Sequence, residues 1–228
     1  MKTIIIAEAG VNHNGSFKRA KKMIKAAKLC GADYIKFQTA FVEEVMTENA
    51  PKAKYQIKNT KNKNESQIEM AKKIHLKKIH YRTLYDECKK LKIKFLSSPF
   101  DLKSITLLSK LNLKTFKIPS GEITNFPYLI EVAKKASNII LSTGMSNLLE
   151  ISQALIILQK YGKKNKKIVI LHCNTDYPTS FKDVNLRAMN QIKKKFNVDV
   201  GYSDHTLGIE VSIAAVALGA KVIEKHLH

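Results

Sequence analysis

VDVGYSDHTLGIEVSIAAVALGAKVIEKHL, Val198 to Leu227, holds one complete strand–helix–strand period. Its outer parts, VDVGYSDH (Val198 to His205) and KVIEKHL (Lys221 to Leu227), are short apolar or β-branched runs. The middle, IEVSIAAVAL, carries the three-to-four spacing of a helix laid on a sheet. Strands joined in this way run parallel through a right-handed crossover. Each run carries a histidine at its end, His205 and His226, so two imidazoles finish side by side at one rim.

The same period repeats towards the N terminus. TIIIAE (Thr3 to Glu8), DYIKFQT (Asp33 to Thr39), KFLSS (Lys94 to Ser98), TFKIPS (Thr115 to Ser120), NIILST (Asn138 to Thr143) and KIVILHC (Lys167 to Cys173) bring the strand total to eight. Between them lie amphipathic stretches such as FKRAKKMIKAAKL, PYLIEVAKKA and LEISQALIILQKY. Eight such units in 228 residues predict a TIM (β/α)8 barrel in a single domain over residues 1–228, its active site at the C-terminal strand ends. Two irregularities stand out. Residues 41–75 form a long polar insertion, expected to be an irregular binding loop or disordered. The sequence stops at His228, directly after strand eight, so the closing eighth helix is expected to be missing.

Composition limits the function classes. The formal charge is +21, from 40 Lys and Arg against 19 Asp and Glu, but Arg occurs only at Arg19, Arg82 and Arg187. Nucleic-acid readers favour Arg forks, and these lysines are scattered along helical stretches without aromatic interleaving. The lysines read as a solvated surface whose field attracts acidic small molecules, and no nucleic-acid partner is expected. Cys30, Cys88 and Cys173 are odd in number and lack paired metal spacing, which suits the reducing cytoplasm. No apolar stretch approaches membrane-spanning length, so no membrane partner is expected either.

Strand parity sorts the polar residues. In DYIKFQT, Ile35 and Phe37 face the helical layer, leaving Lys36 and Gln38 inward; in TFKIPSGE, Phe116 and Ile118 leave Lys117 inward. A lysine inside a barrel is costly to desolvate unless an anion meets it, so two of them suggest a site for a ligand carrying a carboxylate or phosphate, the other reading being that each pairs with a protein carboxylate or snorkels to the rim. Ser97, Ser98, Ser120, Ser142 and Ser203 stand at equivalent strand ends and could bring hydroxyls to a phosphate. Glu8 and Glu122 could orient a hydroxyl or move a proton, or could be ordinary caps or salt-bridge partners. His13, in a turn rich in Asn and Gly, reads as a loop-fixing residue, and His75, His80, His172 and His228 read as structural. Ser203 shares parity with His205, and Glu224 with His226. Two inward imidazoles with water and substrate oxygens would suit Mn²⁺, with Mg²⁺ and Co²⁺ as the alternatives.

The strings IIIAEAGVNHNGS, GADYIKFQT, FLSSPFD, FKIPSGEITNFP, IILSTGM, LHCNTDYPT, VNLRAM, GYSDHTLG and VIEKH, in order from Ile4 to His226, together resemble the sialic acid synthase family. The segment KAKYQIKNTKNKNESQIEM looks most like the branch that makes legionaminic acid, with N-acetylneuraminate synthases next. The resemblance implies a metal-dependent condensation of phosphoenolpyruvate with an N-acetylated mannosamine-type sugar, either 2,4-diacetamido-2,4,6-trideoxymannose or N-acetylmannosamine. On matching positions it implies His205 and His226 as metal ligands and Lys36, Lys117, Ser98, Ser120, Ser142 and Ser203 around phosphoenolpyruvate. It further implies Gln38, Glu122 and Tyr177 at the sugar, and Glu8 near the reacting carbons.

Three departures accompany the resemblance. Ser98 stands where many relatives have Thr, and Asn174-Thr175 stands where relatives often have Thr followed by Asn or Ser. The family also continues into a C-terminal antifreeze-like domain that swaps across a homodimer and brings an arginine to the partner's sugar site. That domain is expected to be absent here, which leaves open a barrel that binds ligand without full turnover. Another phosphoenolpyruvate–aldose synthase, acting on a phosphorylated pentose, is the remaining enzymatic alternative.

Overall fold

The computed structural model describes residues 2–52, 57, 62, 65–163 and 167–227. Its first half runs β1 (Ile4–Gly10), α1 (Phe17–Leu29), β2 (Tyr34–Thr39), α2 (Val42–Val45), α3 (Gln67–Ile74), α4 (His80–Lys90), β3 (Lys94–Pro99), α5 (Leu102–Ser109) and β4 (Thr115–Ile118). A 3-10 turn at Ser120–Glu122 leads into α6 (Phe126–Lys135), β5 (Asn138–Ser142), α7 (Leu148–Lys160) and β6 (Lys167–Cys173). A second 3-10 turn, Phe181–Asp183, precedes α8 (Arg187–Phe196), β7 (Asp199–Asp204), α9 (Glu210–Ala217) and β8 (Val222–His226). Helix starts follow local chemistry. Ser16, Asp101, Asn125 and Asn147 each accept hydrogen bonds from first-turn amides that have no partner inside the helix.

All strand pairs are parallel, and the eight-stranded order is β3-β2-β1-β8-β7-β6-β5-β4. The two ends of that order, β3 and β4, lie against each other and bring the sheet round into the expected barrel. Among the described residues no ladder joins those two strands.

Alternation divides the apolar side chains into two bodies. Ile35, Phe37, Phe95, Phe116, Ile118, Ile139, Leu141, Ile170, Tyr202 and Ile223 point outwards and pack with the helices in the larger core. Ile6, Leu96, Ile140, Leu171 and Val222 point inwards and form a separate plug inside the barrel, with Tyr34 and Val169 packed on it. At the corresponding level of β7 stands Gly201, where a Cβ would come within 2.2 Å of the Val222 carbonyl oxygen, so only a residue without a side chain lets β7 and β8 approach this closely.

The expectation of an irregular or disordered insertion over residues 41–75 needs correcting. Its two flanks are helical, as α2 and α3, although residues 53–56, 58–61 and 63–64 lie outside the described set. Helix α3 forms because Ser66 and Glu69 make a reciprocal capping box, each side chain bonding the other's backbone N–H. The insertion is also tied to the rim, since Gly15 N donates to the Ile74 carbonyl at 2.9 Å. Among the described residues, no helix is long and apolar enough to cross a membrane.

Candidate active site

One register step above the apolar plug, the barrel interior turns polar. Glu8, Lys36, Ser98, Lys117, Ser142, Ser203 and Glu224 occupy this layer, none more than 5% exposed. Glu224 links the two lysines: its Oε2 is 3.2 Å from Lys36 Nζ and its Oε1 is 3.5 Å from Lys117 Nζ. Lys36 Nζ also lies 3.0 Å from Glu8 Oε2 and donates to Ser98 Oγ at 3.4 Å. Lys117 Nζ donates to Ser142 Oγ at 2.7 Å, and Ser203 Oγ donates to Glu224 Oε1 at 2.9 Å. The ion pairs are not saturated: Glu8 Oε2 and Glu224 Oε2 are buried without an aligned hydrogen bond, although Lys36 lies within ion-pair distance of both.

The two carboxyls are pushed apart electrically. Burial raises the Glu8 pKa to about 7; the Lys36 charge opposes that rise and the Glu224 charge adds to it. Glu224 is equally buried, but the combined charges of Lys117 and Lys36 outweigh the burial and hold it at about 2. For Lys36 the burial penalty is outweighed by Glu224 and Glu8, so its pKa rises above the ordinary lysine range. Lys117, with Glu224 at longer range and Lys36 nearby, is lowered, mainly by burial. The layer therefore holds one fixed carboxylate and one carboxyl that changes protonation near neutrality, the combination expected of a site that both binds an anion and moves a proton.

The histidines stand directly above. His226 ends β8 opposite Glu8 in the register, His205 follows the last residue of β7, and their ring centroids are 5.6 Å apart. His205 Nδ1 is 2.8 Å from the Asn174 carbonyl oxygen, which can only accept, so Nδ1 carries the hydrogen. Nε2 is thereby left with its lone pair, 3.4 Å from Ser203 Oγ. Burial lowers the His205 pKa and keeps the ring neutral. A neutral ring whose far nitrogen is fixed by a carbonyl is prepared as a metal ligand, so this pair fits a divalent ion. Among the described residues no group of three or more His, Cys, Asp or Glu forms a metal cluster. An ion at this pair would complete its shell with water or substrate oxygens.

The remaining expected residues fall into three groups. Tyr177 lies against His205, with ring centroids 4.2 Å apart and the rings tilted by 35°, and presents an edge to His226 at 5.9 Å while staying 60% exposed at the rim. Ser120 joins the far side of the site, where its Oγ accepts from Gly144 N at 3.0 Å and lies 3.4 Å from Cys173 Sγ. Gln38 ends β2 opposite Ser98, and its amide borders the same small space as the Glu8 carboxyl beside Gly10, which has a φ of +52°. Glu122 lies in the 3-10 turn after β4, where its Oε2 accepts from the side-chain amide of Asn125, the N-cap of α6, at 2.7 Å.

Ser97 is a correction, because alternation turns it into the outer wall, where it bonds Thr39 Oγ1 and the Phe37 carbonyl. His13 does fix its loop, accepting from Gly15 N at 3.2 Å. Asn174, one of the departures, has a definite place: its side chain donates to the Asp183 carbonyl and its own carbonyl fixes His205. The sequence reading leaves three contributors unassigned, namely Glu224, Cys173 and that Asn174 carbonyl. Glu224 had a signal, since it shares parity with His226 one step down the strand.

Comparison with known proteins places the chain among relatives. The model of the NeuB family matches residues 23–228. The chain is 56% identical, over 99% of its length, to N,N'-diacetyllegionaminic acid synthase of Campylobacter jejuni subsp. jejuni serotype O:2, covering 67% of that protein. It is 46% identical to N,N'-diacetyllegionaminic acid synthase of Legionella pneumophila, covering 99% of this chain and 64% of that one. The crystal structure of N-acetylneuraminic acid (sialic acid) synthetase from Leptospira borgpetersenii serovar Hardjo-bovis, in complex with citrate, superposes with a TM-score of 0.86 at 34% identity, covering 99% of this chain and 73% of that one. The chain thus spans roughly two thirds of the length of these relatives. With a family match over residues 23–228 and a relative 56% identical over 99% of this sequence, the chain belongs to the NeuB family.

Proposed function

We propose that the chain forms the catalytic barrel of a nonulosonic acid synthase. The reaction joins phosphoenolpyruvate to an open-chain N-acetylated mannosamine-type aldose and releases inorganic phosphate. The similarity to two N,N'-diacetyllegionaminic acid synthases favours the 2,4-diacetamido-2,4,6-trideoxy sugar as acceptor over N-acetylmannosamine. The observation that carries the reading is the convergence of two buried lysines on one carboxylate directly beneath two adjacent imidazoles.

In this reading Lys36 and Lys117, with the hydroxyls of Ser98, Ser120, Ser142 and Ser203, hold the phosphate and carboxylate of phosphoenolpyruvate. His205 and His226 hold a divalent ion, proposed as Mn²⁺, which when bound supplies Lewis-acid polarisation of the aldehyde. Tyr177 and Gln38 line the sugar side. The enol carbon forms a bond to the aldehyde carbon, and the aldehyde oxygen takes up a proton to become a hydroxyl. Water then adds to the cationic carbon that bears the phosphate, losing a proton, and the C–O bond to phosphate breaks to leave the keto acid. Glu8, poised near neutrality, is the group that handles the proton of the attacking water, while Glu224 stays ionised and keeps both lysines charged and placed. The three free thiols support placing the enzyme in the reducing cytoplasm.

Incubation of the full chain with Mn²⁺ and phosphoenolpyruvate tests the proposal. Phosphate release that depends on an N-acetylated mannosamine-type aldose is the expected result. Release with a phosphorylated pentose instead, or from phosphoenolpyruvate alone, would overturn it.

A further inference from the structure

Behind the histidine pair, on the outer face of the barrel wall, lies an ion pair to which the proposed chemistry assigns no role. Asp204 and Lys225 precede His205 and His226 in sequence and are register partners in the β7–β8 ladder. Parity turns them away from the cavity, into the layer beneath α9. Asp204 is 1% exposed, and its carboxylate is fully used. Oδ1 accepts from Thr206 N at 2.9 Å and Thr206 Oγ1 at 2.7 Å; Oδ2 accepts from Ser212 Oγ at 2.6 Å and Lys225 Nζ at 2.8 Å. Lys225 Nζ donates a further bond to the Thr206 carbonyl at 2.9 Å. Five hydrogen bonds thus tie β7, β8 and α9 around the single turn that carries His205, and none of them enters the cavity.

Asp204 is buried while the Lys225 side chain is 26% exposed, and such an ion pair contributes little net stability, so its value is better sought in the geometry that it enforces. Here the two ends are fixed independently. From the cavity side, the Asn174 carbonyl holds the His205 ring and Thr179 N holds the His205 carbonyl at 2.9 Å. From behind, Asp204 fixes the backbone on either side of His205, and its link to Lys225 ties that turn to the residue before His226. We infer that Asp204 and Lys225 are positioning residues that set the spacing and orientation of the two imidazoles for a shared divalent ion. The inference rests on the metal reading of His205 and His226.

The test uses the full chain with Asp204→Asn, Lys225→Met and Ser212→Ala. Three measurements are made: Mn²⁺ binding by electron paramagnetic resonance, the d–d absorption of Co²⁺ at saturation, and the His205 tautomer of the ion-free protein from ring-nitrogen chemical shifts. Wild type is expected to bind Mn²⁺. Folded Asp204→Asn and Lys225→Met should bind it about tenfold or more weakly, in the range typical of outer groups that orient metal ligands. They should also show an altered Co²⁺ spectrum and a mixed His205 tautomer, changes that a merely stabilising role would not produce. If those two variants do not fold, Ser212→Ala, which removes one bond and leaves the pair intact, decides through a changed Co²⁺ spectrum. Unchanged affinity, spectrum and tautomer in the folded variants would overturn the inference while leaving the metal reading intact. No Mn²⁺ binding by the wild type would overturn both.

Discussion

Glu8 and Glu224 are the same side chain in two electrical settings. Both are buried within ion-pair reach of Lys36, yet Lys117 lies beside Glu224 as well, and that second cation separates a permanent anion from a carboxyl that titrates near neutrality. Glu8→Gln keeps shape and hydrogen bonding but abolishes proton transfer. It should lower kcat by about a hundredfold or more while phosphoenolpyruvate affinity changes little, read by steady-state kinetics beside calorimetry. Glu224→Gln should act the other way, weakening phosphoenolpyruvate binding because the lysines lose the charge that holds them in place. Equal effects on kcat from both variants would show that the division of roles is wrong. At this scale the sequence was legible through parity: Lys36, Lys117, Ser203 and both histidines fall where alternation puts them. Glu224 follows the same rule, but a carboxylate between two lysines gains its meaning from contacts across the barrel, which no local string displays. Ser97 departs from the expectation because a run of two serines offers one to each face.

Among the elements, α3 carries a start signal that its surroundings obscure. Ser66-x-x-Glu69 is a helix-start signal in plain view, hidden by the polar, lysine-rich composition around it. What fixes the helix to the barrel is not periodic: the bond from Gly15 N to Ile74, with buried His13 and half-buried His75 close to it. Burial lowers the pKa of both rings to about 4 from an ordinary 6.5, with His75 adding to the shift at His13 and Lys78 to that at His75. As pH falls below about 6.5 the unfolded chain binds protons that the folded chain refuses. Stability held above that pH is therefore lost progressively down to about 4 and changes little further from this source below it. The two sites together make this a loss of a few kcal/mol. Urea midpoints measured between these pH values should fall, and His75→Gln should flatten the slope; an unchanged slope in that variant would exclude His75 as a source.

For the molecule as a whole, the eight-unit period was the strongest sequence signal, because alternation of strand and helix leaves few other topologies. The division of the interior into an apolar plug and a charged layer above it could be anticipated only in part. Ile6, Leu96, Ile140, Leu171 and Val222 come from five strands, and their meeting depends on barrel stagger rather than on any one run. Leu96 in this plug is fully buried. Leu96→Ala should therefore cost about 2–5 kcal/mol in unfolding free energy. A loss below 1 kcal/mol would mean that the plug is not close-packed.

A bracelet gives first at its clasp, and this one has its clasp between β3 and β4, where two staves touch without a ladder. Lys36 and Ser98 lie on one side of that gap, on β2 and β3, and Lys117 and Ser142 on the other, on β4 and β5. An anion gripped from both sides would act as a fastener. Amide deuteration along β3 and β4 should then be faster than along β1 and β8 in the free protein, and should slow when phosphoenolpyruvate arrives.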